Sequence, residues 1–122
     1  MGLRDLKKRW TTSVEDLHNA RLQERFAVNG TSTIGDAPHR VPIKLAGEVT
    51  RQRLVPRSGT PALEVVVTDG TGDAYAVFTG RRAIPGLECG RALIIEGVGH
   101  EDRGHLTLLN PAYTFIPGAD EH

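Results

Sequence analysis

The chain has 122 residues, and its 15 lysines and arginines are balanced by 15 aspartates and glutamates. This length accommodates one ordinary domain and excludes a multidomain enzyme. The zero net charge excludes a protein that coats nucleic acid through bulk electrostatics, but it leaves room for a local basic patch. Cys89 is the single cysteine, and no apolar run approaches the ~20 residues of a membrane span. We therefore expect a cytoplasmic protein with no internal disulfide and no membrane partner.

The first 28 residues have helical spacing, because their apolar residues recur every three to five positions. These residues are Leu3, Leu6, Trp10, Val14, Leu17 and Leu22. Thr12 and Glu15 have the form of a capping box, which predicts two helices, over about 3–10 and about 13–27. The basic stretch Arg4–Arg9 leaves several roles open. The apolar stripe packs on the rest of the chain or on a second copy, or the segment binds a membrane surface, nucleic acid or a partner.

The chain divides into four parts by composition. Asn29 and Gly30 predict the end of the helical segment, and the small polar residues that follow are typical of a linker. We predict a helical segment over 1–28, a linker over 29–40, a barrel over 41–117 and a polar tail over 118–122.

The apolar residues alternate with period two from Val41 onward, which predicts β-strands. The first strand is long, and Gly47 lies where it would bend. Pro56–Pro61 is rich in turn formers and predicts a projecting loop. The later strands are predicted at Leu63–Thr68, Ala74–Thr79, Ala92–Val98 and His105–Leu109, the last resuming at Tyr113–Ile116 after a break at Asn110-Pro111. Five short antiparallel strands predict a mainly β, five-stranded Greek-key barrel. The apolar turn Ile84–Leu87 is suited to plug one end of it.

Five sequence pieces occur in an order that carries a family resemblance. They are Val67-Thr68-Asp69-Gly70-Thr71-Gly72; Val77-Phe78 with Gly80-Arg81; Ile84-Pro85-Gly86-Leu87 with Gly90; Glu96-Gly97; and Asn110-Pro111-Ala112-Tyr113. Over about residues 40–116 they resemble the OB-fold family, including the wedge domain of RecG-type branch-migration helicases and the anticodon-binding OB domains. With its helical start and the stretch Arg81–Arg91, the whole chain looks like the short stand-alone OB-fold proteins of actinobacteria.

The resemblance implies an OB barrel and, as for many members of the family, nucleic-acid binding. Other OB barrels dock proteins, so the fold alone does not decide between the two. The chain lacks the phosphate-binding loop of nucleotide hydrolases, so any motor would have to be a partner.

Alternation along the second and third predicted strands identifies the candidate binding face. The residues expected inside the barrel are Leu63, Val65, Val67, Ala74, Ala76 and Phe78, and those expected outside are Glu64, Val66, Thr68, Tyr75, Val77 and Thr79. Tyr75 is the aromatic residue of the outer set and could stack on a base, or it could pack against the N-terminal helices. Val66 and Val77 would add apolar contact.

Arginines flank this face and are candidates for phosphate contacts. The candidates are Arg51, Arg53, Arg57, Arg81, Arg82 and Arg103, with Arg91 before the fourth strand. The alternative is that they are scattered arginines that only solvate the surface.

Catalytic and metal sites are poorly supported. His100 and His105 flank a charged hairpin but match no metal-binding spacing, so we interpret them as loop residues. A tight turn explains Asp69 and Asp73, and Cys89 has no neighbour that would activate it. We predict no catalytic residues, no cofactor and no metal.

The sequence therefore predicts a non-enzymatic OB module that binds single-stranded or branched DNA, or RNA, by base stacking and arginine–phosphate contacts. The alternative is a protein-interaction OB module, acting as an accessory subunit or as a homo-oligomer held through its N-terminal segment.

Overall fold

The computed structural model describes residues 3–27 and 30–117, with side chains from residue 14 onward. This part of the chain contains one α-helix, α1 (Leu3–Arg25), a 3₁₀ turn (Ile34–Asp36) and six strands. The strands are β1 (Pro42–Arg57), β2 (Thr60–Thr68), β3 (Asp73–Thr79), β4 (Ala92–Asp102), β5 (His105–Leu109) and β6 (Ala112–Phe115). The predicted tail, 118–122, lies outside the described residues.

The strands close into a barrel of five. Their order is β1-β2-β3-β5-β4, and β4 pairs back with β1. All of these neighbours are antiparallel except β3 and β5, which run parallel. β6 pairs with the first half of β4, whereas β5 pairs with its second half. The predicted five-stranded barrel is confirmed, as is the break at Asn110-Pro111 between its last two segments.

β1 is long enough to serve two neighbours. Its first half pairs with β4, and from Glu48 onward it pairs with β2. The register with β2 shifts between Val49 and Arg51, which marks a bulge of the kind that bends a strand. A Cβ on Gly47 would lie 2.9 Å from the carbonyl oxygen of Thr68. Gly47 thus permits a close approach of two strands, and the register irregularity follows a few residues later.

The barrel interior follows the predicted alternation. All six residues predicted to point inward on β2 and β3 are buried in the main core cluster, together with Leu45, Leu93, Ile95 and Leu108. Ile84 and Leu87 join the same core from the connection between β3 and β4, so the predicted apolar plug is also confirmed.

The prediction of a projecting loop over Pro56–Pro61 is wrong. β1 and β2 continue through these prolines, which pair with each other, and only Ser58 and Gly59 form the turn. The φ angles of these two residues are +51° and +79°, as a type I′ hairpin requires. The turn between β4 and β5 has the same form, with Arg103 and Gly104 at +54° and +82°.

The two predicted N-terminal helices are a single helix. α1 continues through Thr11–Ser13 without a break, so Thr12 does not cap a second helix. Thr and Ser cost only a few tenths of a kcal/mol inside a helix, and no Gly or Pro interrupts the backbone hydrogen bonds here. The side chains of the basic stretch Arg4–Arg9 lie outside the description.

The end of α1 packs on the barrel. Leu22 and Phe26 are buried against Ala46 and Ala92, with Ile94 and Ile116 at the margin. Arg25 forms an ion pair with Glu48 at 3.5 Å. Among the described side chains of the predicted apolar stripe, Leu22 is covered by the barrel, whereas Val14 and Leu17 are 60% and 57% exposed.

The turn between β2 and β3 holds the segment that follows α1. Asp69 is buried, and its carboxylate accepts hydrogen bonds from the backbone N–H of Ile34 at 2.9 Å and of Thr71 at 2.8 Å. Ile34 lies in the main core. The stretch predicted as a linker over 29–40 thus contributes a core residue and a backbone bond to the barrel.

Candidate nucleic-acid interface

An open cleft of about 630 Å³ lies on the outer face of β1, β2, β3 and β5. Strand register brings its residues together: Arg51 and Tyr75 both lie opposite the buried Val66, and Tyr75 lies opposite Thr107. The residues that line the cleft are Arg51, Arg53, Val55, Pro56, Arg57, Ser58, Glu64, Tyr75, Val77, Asp102, Arg103, His105 and Thr107.

Two hairpin turns meet at the edge of this cleft. Arg57, at the end of β1, forms an ion pair with Asp102, at the end of β4, with 3.4 Å between Nη2 and Oδ2. Both residues remain about one-third exposed, so solvent screens the pair and its net contribution is at most about 1 kcal/mol. The pair joins the β1–β2 and β4–β5 hairpins, which a ligand entering the cleft would contact together.

The aromatic group in the cleft is a pair of rings. Tyr75 stacks on His105, with 4.3 Å between ring centroids and 22° between planes. The Tyr75 hydroxyl accepts a long hydrogen bond from Arg51, at 3.4 Å. The stacked rings cover each other's facing sides, so each ring has only its outer side left for a further ring. Tyr75 is half-buried, and His105 is the more exposed of the two.

The cleft carries an excess of positive charge. Four arginines line it against two carboxylates, Glu64 and Asp102. Arg53 donates from Nε to Glu64 Oε1 at 2.9 Å, and Arg57 pairs with Asp102. With histidines neutral, the lining has two net positive charges on a chain whose total is zero. A local basic patch therefore exists within a neutral protein.

The predicted site residues separate into three groups. Arg51, Arg53, Arg57, Tyr75 and Arg103 line the cleft together. Val66 and Val77 lie on the predicted outer face but are only 5% and 1% exposed, so the apolar contact expected from them is limited to the part of Val77 that reaches the cleft floor. Arg81 and Arg82 are exposed in the connection after β3 and do not line the cleft.

Several residues that line the cleft were not predicted as site residues, and two of them, His105 and Thr107, lie on β5; the others are Val55, Pro56, Ser58, Glu64 and Asp102. His105 does begin β5, as predicted, but it was interpreted as an exposed polar residue beside the hairpin loop, whereas it stacks on Tyr75. Thr107, two residues later, lies opposite Tyr75. A five-stranded barrel brings β3 beside β5, so extending the alternation to β5 would have placed both side chains on the outer face.

Two kinds of feature were sought in the described part of the chain. No group of three or more His, Cys, Asp or Glu side chains is placed there to hold a metal ion. Among the described residues, no helix has the length and apolar character needed to cross a bilayer.

Comparisons with known proteins bear on the fold. No protein-family model and no curated protein sequence matches the chain. Solved structures that match include the solution NMR structure of the replication factor A related protein from Methanobacterium thermoautotrophicum. The two chains are 14% identical, with a TM-score of 0.54, over 72% of this chain and 92% of that chain. The chain has the OB fold. At this identity the likeness establishes architecture alone.

Proposed function

We propose that this protein is a non-enzymatic OB module that binds single-stranded nucleic acid in the cleft of β1, β2, β3 and β5. The observation that carries the proposal is the convergence of four arginines on the stacked rings of Tyr75 and His105. Sequence-tolerant binding of single strands combines a basic groove with aromatic surfaces on which bases stack. The cleft combines both features on one face of the barrel.

Unpaired bases would contribute the apolar part of the binding energy. Stacking one base on an aromatic side chain is worth about 1–3 kcal/mol. The Tyr75–His105 pair offers such a surface beside Val77, and bases in a duplex cannot reach it without leaving their own stack. Single strands and the single-stranded arms of forks are therefore the favoured ligands, and duplex is disfavoured.

Phosphates would contribute the electrostatic part. Arg51 and Arg103 are exposed at the cleft, whereas Arg53 and Arg57 are engaged by carboxylates. A phosphodiester must compete with those carboxylates for two of the four guanidiniums. We therefore expect modest affinity that falls as salt rises. A plot of the logarithm of the binding constant against that of the salt concentration should fall with a slope of about 0.7 for each phosphate contact to a single strand.

The binding test is fluorescence anisotropy with labelled single-stranded, forked and duplex oligonucleotides. Tyr75→Ala is expected to weaken single-strand binding about five- to 150-fold, the equivalent of one lost stack. Arg51→Ala with Arg53→Ala is expected to weaken binding and to reduce its salt dependence.

The matched control is Arg81→Ala with Arg82→Ala, which removes the same charge from outside the cleft. Its effect should be clearly smaller than that of the cleft pair. Equal losses from the two pairs, or no binding to any oligonucleotide at low salt, would contradict the proposed function.

A second candidate function, protein docking through α1, has one specific observation in its favour. Val14 and Leu17 are large apolar residues exposed on the same helix, at a spacing of three that places them on one face. If this face binds a second copy, the wild-type protein should sediment as an oligomer, and Val14→Ser with Leu17→Ser should sediment as a monomer. Oligonucleotide binding by each barrel should stay unchanged. A wild-type protein that is monomeric at high concentration would eliminate self-association.

A further inference from the structure

A carboxylate lies in the floor of the otherwise basic cleft. Glu64 is on the outer face of β2, opposite Arg53 on one side and Val77 on the other. Its side chain is 14% exposed, whereas that of Asp102 at the cleft edge is 35% exposed. Partial burial of a charged group costs free energy unless the group is paired, and Glu64 is paired with Arg53 at 2.9 Å.

The position of Glu64 is unfavourable for phosphate but suitable for a base. A carboxylate repels phosphodiesters, which remain near solvent and the exposed guanidiniums. Along β2, Glu64 is two residues from Val66, which lies opposite Tyr75. That separation is about 7 Å, close enough for a base stacked on the Tyr75–His105 rings to direct its edge toward Glu64.

The Glu64–Arg53 pair presents an acceptor beside a donor. The bond to Arg53 uses Oε1, and an ionised carboxylate has about four acceptor positions, so Glu64 can accept further hydrogen bonds. In single strands the Watson–Crick edges of the bases are free to be read. Guanine presents two adjacent donors there, N1–H and the N2 amino group, next to the acceptor O6. Thymine and uracil present one N–H between two carbonyl oxygens, which repel a carboxylate.

We propose that Glu64, supported by Arg53, is a specificity-determining residue that reads guanine in single-stranded nucleic acid. The carboxylate accepts from N1–H and N2–H while the Arg53 guanidinium is positioned to donate to O6. Adenine and cytosine each offer one amino donor and bind less well than guanine, and thymine and uracil bind least well. The proposal rests on the proposed function, since it requires a base in the cleft.

The test measures a preference within one set of ligands. Thymidine oligonucleotides of about ten nucleotides carry guanine, adenine, cytosine or thymine at one central position, and their dissociation constants are measured by anisotropy. The wild-type protein should bind the guanine oligonucleotide at least about fivefold more tightly than the all-thymidine one. Glu64→Gln should reduce this ratio to near one, even if the lost repulsion raises affinity for every oligonucleotide.

Asp102→Asn is the matched control, because it removes the charge of the other cleft carboxylate, which lies at the edge of the cleft, whereas Glu64 lies in its floor. It should change all four affinities by a similar factor and preserve the guanine preference. Two results would overturn the guanine-reading role of Glu64 without affecting the proposed function. One is equal binding of the four oligonucleotides by the wild-type protein, and the other is an unchanged preference for guanine over thymine in Glu64→Gln. Failure of every oligonucleotide to bind would overturn the proposed function as well. The wild-type preference remains decisive if Glu64→Gln does not fold.

Discussion

Gly70→Ala is expected to release α1 from the barrel and to lower the free energy of unfolding by about 3 kcal/mol or more. Gly70 has a φ of +89°, and a Cβ there would collide with the backbone carbonyl of Asn19 in α1. The positive φ alone costs about 1–2 kcal/mol. The collision forces α1 away from the barrel. The stability lost in this way cannot exceed the energy with which Leu22 and Phe26 hold the helix, about 1.5–3 kcal/mol for each buried side chain.

Gly90→Ala is the control that separates strain from collision. Gly90 has a φ of +90° but no atom within 4 Å of an added Cβ, so only the backbone strain applies. Chemical denaturation gives the two stability losses, and amide hydrogen exchange locates them. In Gly70→Ala, exchange should accelerate in α1 more than in the barrel strands. Equal destabilisation by the two substitutions would show that α1 is not docked on this turn.

Asp69→Asn is expected to destabilise the protein by about 2–4 kcal/mol. The buried carboxylate accepts from the N–H of Ile34 and from both the N–H and the hydroxyl of Thr71. An amide has only one acceptor oxygen, so in either orientation an NH₂ group faces a backbone N–H. Leaving a buried donor without an acceptor costs about 1–3 kcal/mol, and more where a charged acceptor is lost.

Asp73→Asn is the matched control for this substitution, since Asp73 is exposed at the start of β3. Its effect should stay within about 0.5 kcal/mol, as for most surface changes. Thermal or urea unfolding of both variants decides the comparison. A loss for Asp69→Asn as small as that of the control would mean that Asp69 does not hold the segment around Ile34.

Asp69 and Gly70 explain the role of the Asp-Gly-Thr-Gly turn in physical terms. The sequence predicts the turn because an Asp side chain bonds the backbone two residues on, and Asp69 does bond Thr71. The long-range contacts of this turn, from Asp69 to Ile34 and from Gly70 to the backbone of Asn19, depend on where the N-terminal segment docks. No local rule contains that information.

The barrel was predictable because its strands alternate with period two. Leu63, Val65 and Val67 could point only to one face of β2, and the core confirms that assignment. The ends of the strands were harder to predict. The prolines at 56 and 61 indicate a loop by composition, yet they lie in paired strands, because only two residues with positive φ are needed to turn the hairpin.

The cleft was predictable only in part. Tyr75 and the arginines of β1 follow from alternation and from the expected position of the loops, and the cleft includes them. Burial of Val66 depends on how neighbouring side chains cover the face, which alternation does not determine. The stacking of His105 on Tyr75 depends on the pairing of β3 with β5, a contact between segments distant in sequence. The finer resemblance to RecG-type wedge domains and actinobacterial proteins, and the cytoplasmic location, stay predictions.

The central claim is that single-stranded nucleic acid binds in the cleft between the two hairpins. The most direct measurement is titration of isotope-labelled protein with a single-stranded oligonucleotide at low salt, followed through the backbone amide NMR signals. We expect the largest shifts to cluster at Arg51, Glu64, Tyr75 and His105, and added salt to reverse them. Shifts confined to α1 or to the connection after β3, or no shifts at all, would contradict it.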